Sequence, residues 1–507
     1  MCIFYIGGLF LRCGVIKDNH YYLFQMAEKL IGREDQVSEL REYAASPRSE
    51  FIAVYGRRRV GKTFLVRKTF DDKFAFYITG MHGASKLEQL SNFALTLQRY
   101  TGSEKTEVPS NWVFAFDALA KYLENAGEGK KILFFDELPW METQKSGFIS
   151  ALENFWNSWA VLRNDILLIV CGSATSWIIN NIIRNRGGLH NRVTHQMRVE
   201  PFHLKECEQY FKAFGFRMSR MQIAEAYMVM GGIPYYFSLM NPKKSLTQNI
   251  DALFFNSGST LYDEFNNLYR SLFKNYRLYI KIVESLATKG YGLTRKELIN
   301  RTGLPDNGNL SIMLEELELC GLIRSYQPYE KSNVTATLGR RAKNGTIYQL
   351  VDFYTIFYFK FLKDRPQEEN TWSFYYNDPK LNAWRGITFE KLCFYHYRQI
   401  KETLGISGIS TRLYSWRSSE KNPGAQIDMI IDRKDDAINI CEMKFSRREF
   451  KIDKKYFENL ENKIETFTEE TGTSKNIIMT LVTTQGLGLN QYSDIIQSQI
   501  TLDNLFR

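Results

Sequence analysis

Between residue 30 and about Pro201, short apolar runs alternate with stretches of helical period, the pattern of a parallel α/β sheet. Phe51–Tyr55, Phe74–Ile78, Ile132–Phe135 and Ile166–Cys171 predict strands, and Leu87–Gln98 and Val113–Leu123 predict helices between them. Met221–Leu239 predicts a helix broken at Gly231-Gly232-Ile233-Pro234, where Gly and Pro force a sharp turn. A helical stretch rich in tyrosine and phenylalanine continues through Leu286.

Residues 277–350 follow another pattern. A helix ends at Ala287, Thr294 is placed to cap a second, and Thr302-Gly303-Leu304-Pro305-Asp306 turns into a third, Asn309–Cys320. Leu322-Ile323 and Thr346–Leu350 follow, separated by a polar loop, and predict a two-strand ribbon. Three helices and a ribbon predict a winged helix-turn-helix over 276–362. A last α/β segment runs from about Trp384 to Arg507, with the polar stretch Lys363–Lys380 before it.

With 507 residues and 44% hydrophobic content, the chain is long enough for several cored domains. A net charge of +10 permits a polyanionic partner such as DNA without demanding one. Seven scattered cysteines with no C-x-x-C pair fit reduced thiols in the cytoplasm rather than disulfides. The six histidines form no zinc spacing with them. The apolar stretch Met1–Ile16 is too short to span a bilayer and lacks a secretory cleavage pattern, so no membrane partner is expected. Met26-Ala27-Glu28-Lys29 reads as a start of translation, which makes residues 1–25 a spurious or disordered extension.

The strand Phe51–Tyr55 runs into Gly56-Arg57-Arg58-Arg59-Val60-Gly61-Lys62-Thr63, the spacing G-x-x-x-x-G-K-T. Its glycines let backbone N–H groups curl around a polyphosphate, Lys62 reaches the β/γ oxygens, and the Thr63 hydroxyl can ligate Mg²⁺. The helix that follows, from Phe64 on, turns its positive end to the same anion. This predicts binding of ATP or GTP. The run Lys131–Phe135 ends in Asp136-Glu137: Asp136 can hold Mg²⁺ through water, and Glu137 is the residue type that orients an attacking water. Leu167–Cys171 leads to Ser173, which has two readings, a sensor of the γ-phosphate or water and an N-cap for a helix near Ser176.

Ile31-Gly32-Arg33-Glu34, Val54-Tyr55 with the glycine loop, Phe135-Asp136-Glu137 and Gly231-Gly232-Ile233-Pro234 together resemble the archaeal-type ATPase family, within the AAA+ and signal-transducing ATPase class. The resemblance implies a P-loop ATPase core over 26–200 and a helical lid over 201–275. It implies that Ile31 and Gly32 border the adenine, and that ATP and Mg²⁺ are bound in a homo-oligomer. It also places Arg192 as an arginine finger, with Arg184 and Arg186 as competitors and a plain surface arginine as the alternative.

Positive residues, among them Arg295, Lys296 and Arg324, surround the 277–350 module, and Lys331 and the run Arg340–Lys343 fall in its wing loop, where they suit phosphate contacts. Yet Glu315, Glu316 and Glu318 leave Asn307, Asn309 and Ser311 as the readers of base edges, so DNA-binding and protein-contacting uses both stand. Further on, the alternating run Gln426–Asp432 and the strand Ile438–Phe445 bring Asp428 beside Glu442-x-Lys444. Two carboxylates can ligate Mg²⁺, and Lys444 can position a hydrolytic water. With Glu390 as a further metal-seeking acid on a preceding helix, residues 380–507 resemble the PD-(D/E)XK restriction-endonuclease-like superfamily, although Ile427 replaces its usual proline. The expectation is an ATPase that couples nucleotide state to a nuclease-like domain binding or cleaving DNA. The alternatives are a signal-transducing ATPase switch with a non-catalytic C-terminal domain, and a transcription regulator.

Overall fold

Five of the six residues of β1 (Glu50–Tyr55) are buried, and the strand lies inside a parallel sheet. In this computed structural model the residues described are 29–104, 107–185, 187–256, 258–329, 345–364, 371–375, 378–418 and 424–507. The expected start at Met26 and the extension 1–25 lie outside them, as do Arg186 and the loop cations Lys331, Arg340, Arg341 and Lys343. β2 (Phe76–Thr79), β3 (Lys131–Asp136), β4 (Ile166–Cys171) and β5 (His195–Arg198) complete the sheet in the order β2-β3-β4-β1-β5. Ile52 stands beside Ile169 on one side and His195 on the other, all strands parallel. β1 and β4 read as unbroken apolar runs because both faces of the sheet are covered.

Alternate residues feed two cores. Phe51, Ala53, Phe135, Leu168 and Val170 pack under the helices Lys86–Thr101, Trp112–Glu124 and Phe148–Ser158. Ile52, Val54, Phe134, Leu167 and Ile169 face the other way, into a core that runs on through the rest of the chain. The fifth strand is absent from the sequence expectation. Its burial alternates weakly, with Met197 fully inside and His195, Gln196 and Arg198 partly or fully exposed, so its apolar signal is a single residue.

After β5 the chain turns helical. Leu204–Ala213 and Arg220–Met230 pack together, and the latter opens on a Ser219/Gln222 capping box. The turn Gly231–Ile233 then leads into the short helix Pro234–Ser238. Glu264–Leu272 and Tyr276–Ala287 follow. β6 (Leu293–Thr294) precedes the helix Arg295–Thr302, where the Thr294 hydroxyl accepts from the Glu297 N–H and Glu297 reaches back. Next come Gly308–Leu319, β7 (Ile323–Tyr326) and β8 (Ile347–Leu350). These strands form an antiparallel sheet in the order β6-β8-β7.

The stretch expected to separate this module from the last one is partly packed. Trp372 is buried among Phe255, Phe357 and Trp384, and its N–H donates to Asp251 at 2.7 Å. A tryptophan inside a polar run outweighs its neighbours once it finds an aromatic pocket. The helix Pro379–Tyr395 begins before Trp384 and is tied to the helix Arg220–Met230 by Arg385–Glu225 at 2.9 Å. Beyond it, β9 (Thr411–Arg417), β10 (Gln426–Arg433) and β11 (Ala437–Lys444) pair antiparallel. β12 (Phe450–Lys451) and β14 (Leu487–Gly488) pair apart from them, while β13 (Asn476–Thr483) and β15 (Ser498–Thr501) extend the main sheet in parallel, giving β15-β13-β11-β10-β9. The helix Lys454–Thr471 packs on this sheet through Leu460 and Phe467. The five described cysteines are free and buried, and no described helix is long and apolar enough to cross a membrane.

Candidate functional site

The loop after β1 is shaped by its two glycines. Gly56 has φ of 140°, and a Cβ there would sit 2.3 Å from the Val199 carbonyl oxygen, on the chain leaving β5. Gly61, at φ of 89°, is the N-cap of the helix Lys62–Thr69. Both positions favour a residue without a Cβ. The Lys62 ammonium folds back over the loop, donating to the carbonyls of Gly56 at 2.9 Å and Arg57 at 3.0 Å. Arg58, Arg59, Val60, Gly61, Lys62, Thr63 and Phe64 all line a cavity of about 420 Å³, a size ordinary for small-molecule sites.

Because β4 lies between β1 and β3, the carboxyl ends of three strands meet at this cavity. Asp136, 4% exposed, ends β3, and both its oxygens accept from the Thr63 hydroxyl, at 3.0 and 2.9 Å. Burial, and then the charge of Glu137, push the Asp136 carboxyl above its usual range. A dication between Thr63 and Asp136 would relieve that cost, so this pair fits Mg²⁺. Glu137 sits at φ of 47°, a left-handed conformation that costs a non-glycine residue roughly 1–2 kcal/mol. The turn aims its carboxylate at Ser173, whose hydroxyl and N–H donate to Oε2 at 2.9 and 3.2 Å. Of the two readings of Ser173, the N-cap fails: the helix Thr175–Ile178 has Ala174 at its N-cap and no side-chain cap.

The far wall is apolar. Ile31 lines the cavity with Phe202, Tyr210, Pro234 and Tyr235. Gly32 does not line it; a Cβ there would meet Glu206. Arg33 holds this wall to the loop, donating to the carbonyl of Glu200 at 2.6 Å and of Val60 at 3.4 Å. Sequence reasoning missed Arg33, Phe202, Tyr210 and Tyr235 as parts of the site. The position of Tyr235 just after the Gly-Gly-Ile-Pro turn was a usable signal, whereas Phe202 and Tyr210 have no local pattern.

One arginine departs from expectation, and the geometry narrows the role of another. The Arg57 side chain, expected among the nucleotide contacts, turns away from the cavity and pairs with Asp352 in the interior. Arg192 is exposed and lies just before β5; Thr194 bonds to Phe51 at the start of β1. The loop lies at the other end of β1, about 16 Å away at ~3.3 Å per residue, so Arg192 cannot serve its own loop. Its competitor Arg184 is paired with Glu315 of the helix Gly308–Leu319 at 2.9 Å.

A second group of acids lies in the C-terminal sheet. Met429 faces Cys441 across β10 and β11, which puts Asp428 and Glu442 one step further along the same pair of strands. Gln426 donates to Asp428 at 2.7 Å. Glu390 and Asp428 open on a cavity of about 310 Å³ between this sheet and the β6-β8-β7 sheet, which also holds Arg324, Lys391 and Arg417. Burial, then the Asp428 charge, push Glu390 up to about 8; burial, then Arg324, bring Lys391 down to about 7. Glu442 is engaged otherwise. It accepts from Tyr456 at 2.6 Å and Lys463 at 2.7 Å, and Lys444 lies at 3.0 Å. These partners outweigh burial and hold its carboxyl below the usual range. Among the described residues, no three or more acids, histidines or cysteines are grouped to hold a metal ion, so the expected set Glu390, Asp428 and Glu442 is not assembled as one. Glu442 is instead held by two ammonium groups and a phenol.

A sequence profile described as an ATPase domain predominantly from Archaea matches residues 30–240. The uncharacterized protein MJECL04 of Methanocaldococcus jannaschii is 25% identical over 368 residues, covering 71% of this chain and 76% of its own. Among solved structures, the Walker-type ATPase Paby2304 of Pyrococcus abyssi aligns with a TM-score of 0.46 and 16% identity, covering 65% of this chain and 96% of that one. The ORC2 protein of Aeropyrum pernix, in its ADPNP–ADP complexes, gives 0.40 and 15%, covering 65% and 93%. Residues 30–240 form an ATPase domain, and the cavity at the phosphate loop lies in it.

Proposed function

We propose that this chain is a Mg²⁺-dependent ATPase whose nucleotide state governs a DNA-binding C-terminal half of nuclease-like fold. The observation that carries the ATPase chemistry is the chain of contacts Thr63–Asp136 and Glu137–Ser173 at the ends of neighbouring strands. Thr63 and Asp136 would hold Mg²⁺, which neutralises phosphate charge when bound. Loop N–H groups and Lys62 bind the phosphates. Glu137, held by Ser173, orients and polarises the attacking water. Ile31, Phe202 and Tyr235 offer an apolar seat for the base, with Gly32 setting the backbone behind it.

DNA binding is supported by Arg324 and Arg417, interleaved with Tyr291, Tyr326 and Phe394 around the second cavity, a mixture suited to phosphates and bases. The elements from Tyr276 to Leu350 are read as a winged helix. Its third helix is poorly suited to reading bases, because three of its residues are acidic, and Glu315, Glu316 and Glu318 are bound to Arg184, Tyr279 and Ser325 of the protein itself. This argues against a transcription regulator. Glu442, an ionised carboxylate already paired with Lys463 and Lys444, favours binding over cleavage and so a signal-transducing switch. Cleavage is favoured by one observation, the Glu390–Asp428 pair in a shared cavity.

Plasmid incubated with the protein and Mg²⁺ or Mn²⁺, with and without ATP, separates these readings. Retention of DNA with no nicking is the expected result. Nicking that disappears in Glu442→Ala, with ATP binding intact, would establish the cleaving alternative. Absence of DNA binding in every nucleotide state would overturn the proposal.

A further inference from the structure

Two of the three consecutive arginines of the phosphate loop reach out of it, each to a carboxylate beyond residue 240. Arg57 pairs with Asp352, both side chains buried, at 6% and 0% exposure. The other oxygen of Asp352 accepts from the Thr355 N–H at 2.9 Å and hydroxyl at 2.6 Å, capping the helix Phe353–Phe357. Its own N–H, and that of Val351, donate to the Leu322 carbonyl, which fixes Asp352 to the β6-β8-β7 sheet. Arg59 pairs with Glu264 at 2.8 Å and packs over the Tyr235 ring at 4.2 Å. Glu264, 2% exposed, also accepts from Tyr236 at 3.2 Å, in the helix after the Gly-Gly-Ile-Pro turn.

These arginines have little else. Nε and Nη2 of Arg57 and Nη1 of Arg59 are buried with no hydrogen-bond partner among the described residues. A buried guanidinium bound on one side follows the carboxylate that holds it. The backbone between them carries the Arg57 carbonyl that takes the Lys62 ammonium, so the loop's path depends on both anchors.

We propose that Asp352 and Glu264 are positioning residues for ATP hydrolysis, holding Arg57 and Arg59 so that the phosphate loop keeps the shape that receives the triphosphate. The nucleotide site is then completed by the lid and by the segment that follows β8, outside the 30–240 ATPase segment. A purely structural role predicts something different: less folded protein, but an unchanged KM for the fraction that folds.

The test measures KM and kcat for ATP in Asp352→Asn and Glu264→Gln, well below each variant's unfolding midpoint. The result expected is a KM raised about tenfold or more, with kcat at saturation falling far less. Should Asp352→Asn fold poorly, Glu264→Gln carries the test, because glutamine keeps the bond from Tyr236. A third protein, Arg57→Met with Asp352→Leu, removes both buried charges and is expected to regain thermal stability without regaining the low KM. An unchanged KM in the folded single variants, or a KM restored together with stability in the double variant, would overturn the proposal.

Discussion

Lys62 and Glu137 line one cavity, and under the proposed chemistry they act on different parts of the substrate, so single substitutions separate them. Lys62→Ala removes a charge-assisted contact to phosphate, and ATP affinity should fall roughly 10- to 100-fold, measured by titration with a fluorescent nucleotide. Glu137→Gln should bind ATP as the parent does and hydrolyse it ~10²–10⁴ more slowly. Ser173→Ala frees the glutamate without removing it, so turnover should fall about tenfold with binding intact. Parent-like hydrolysis by Glu137→Gln would remove the water-activating role. At this scale the sequence was legible where spacing is local: the glycine loop, Thr63 and the acids at the end of β3. Arg57 was not, because its partner Asp352 lies 295 residues away and only tertiary packing brings them together.

Elements meet where local signals fail. The helix Pro379–Tyr395 ends at His396, which is fully buried; its Nε2 accepts from the N–H of Leu204, in the first turn of Leu204–Ala213. Its Nδ1 faces the Leu392 carbonyl at 2.8 Å. Burial, then His203, bring its pKa down to about 3, and a cation at a helix N-terminus would also oppose the dipole. Unfolded histidine titrates near ~6.5, so the unfolded chain binds the proton first. The stability this neutral ring contributes is complete above that value and is lost as pH falls toward the folded value, by up to about 1.4 kcal/mol per unit. Denaturant unfolding between pH 7 and 5 should show that loss in the parent and less of it in His396→Gln, whose side-chain oxygen still accepts from Leu204. Equal slopes would place the pH dependence elsewhere, His203 being the neighbour whose burial lowers its pKa too. Strands β1 and β4 were legible because β4 is apolar throughout and β1 is so from Phe51 on, and β5 was not because one buried methionine is no pattern. The packed helix Thr371–Tyr375 was hidden inside a polar run for the same reason.

The whole molecule decides what Arg192 can do. The order β2-β3-β4-β1-β5 sets the loop before β5 at the amino ends of the strands and the phosphate loop at their carboxyl ends. No reading of local periodicity yields that order, so a cis and a trans arginine looked alike in the sequence. With the cis reading gone, an arginine finger at this position has to act on a neighbouring copy, where an exposed guanidinium can reach another molecule's γ-phosphate. ATP should then promote self-association, seen as a rise in mass by sedimentation. Arg192→Ala should keep nucleotide affinity and lose hydrolysis by ~10³-fold or more. Mixed with Lys62→Ala, it should recover part of the turnover, since one variant supplies the arginine and the other an intact phosphate loop. A mixture shown to co-assemble, assayed at ATP too dilute to fill the Lys62→Ala loop, that gains no turnover would leave Arg192 an ordinary surface residue.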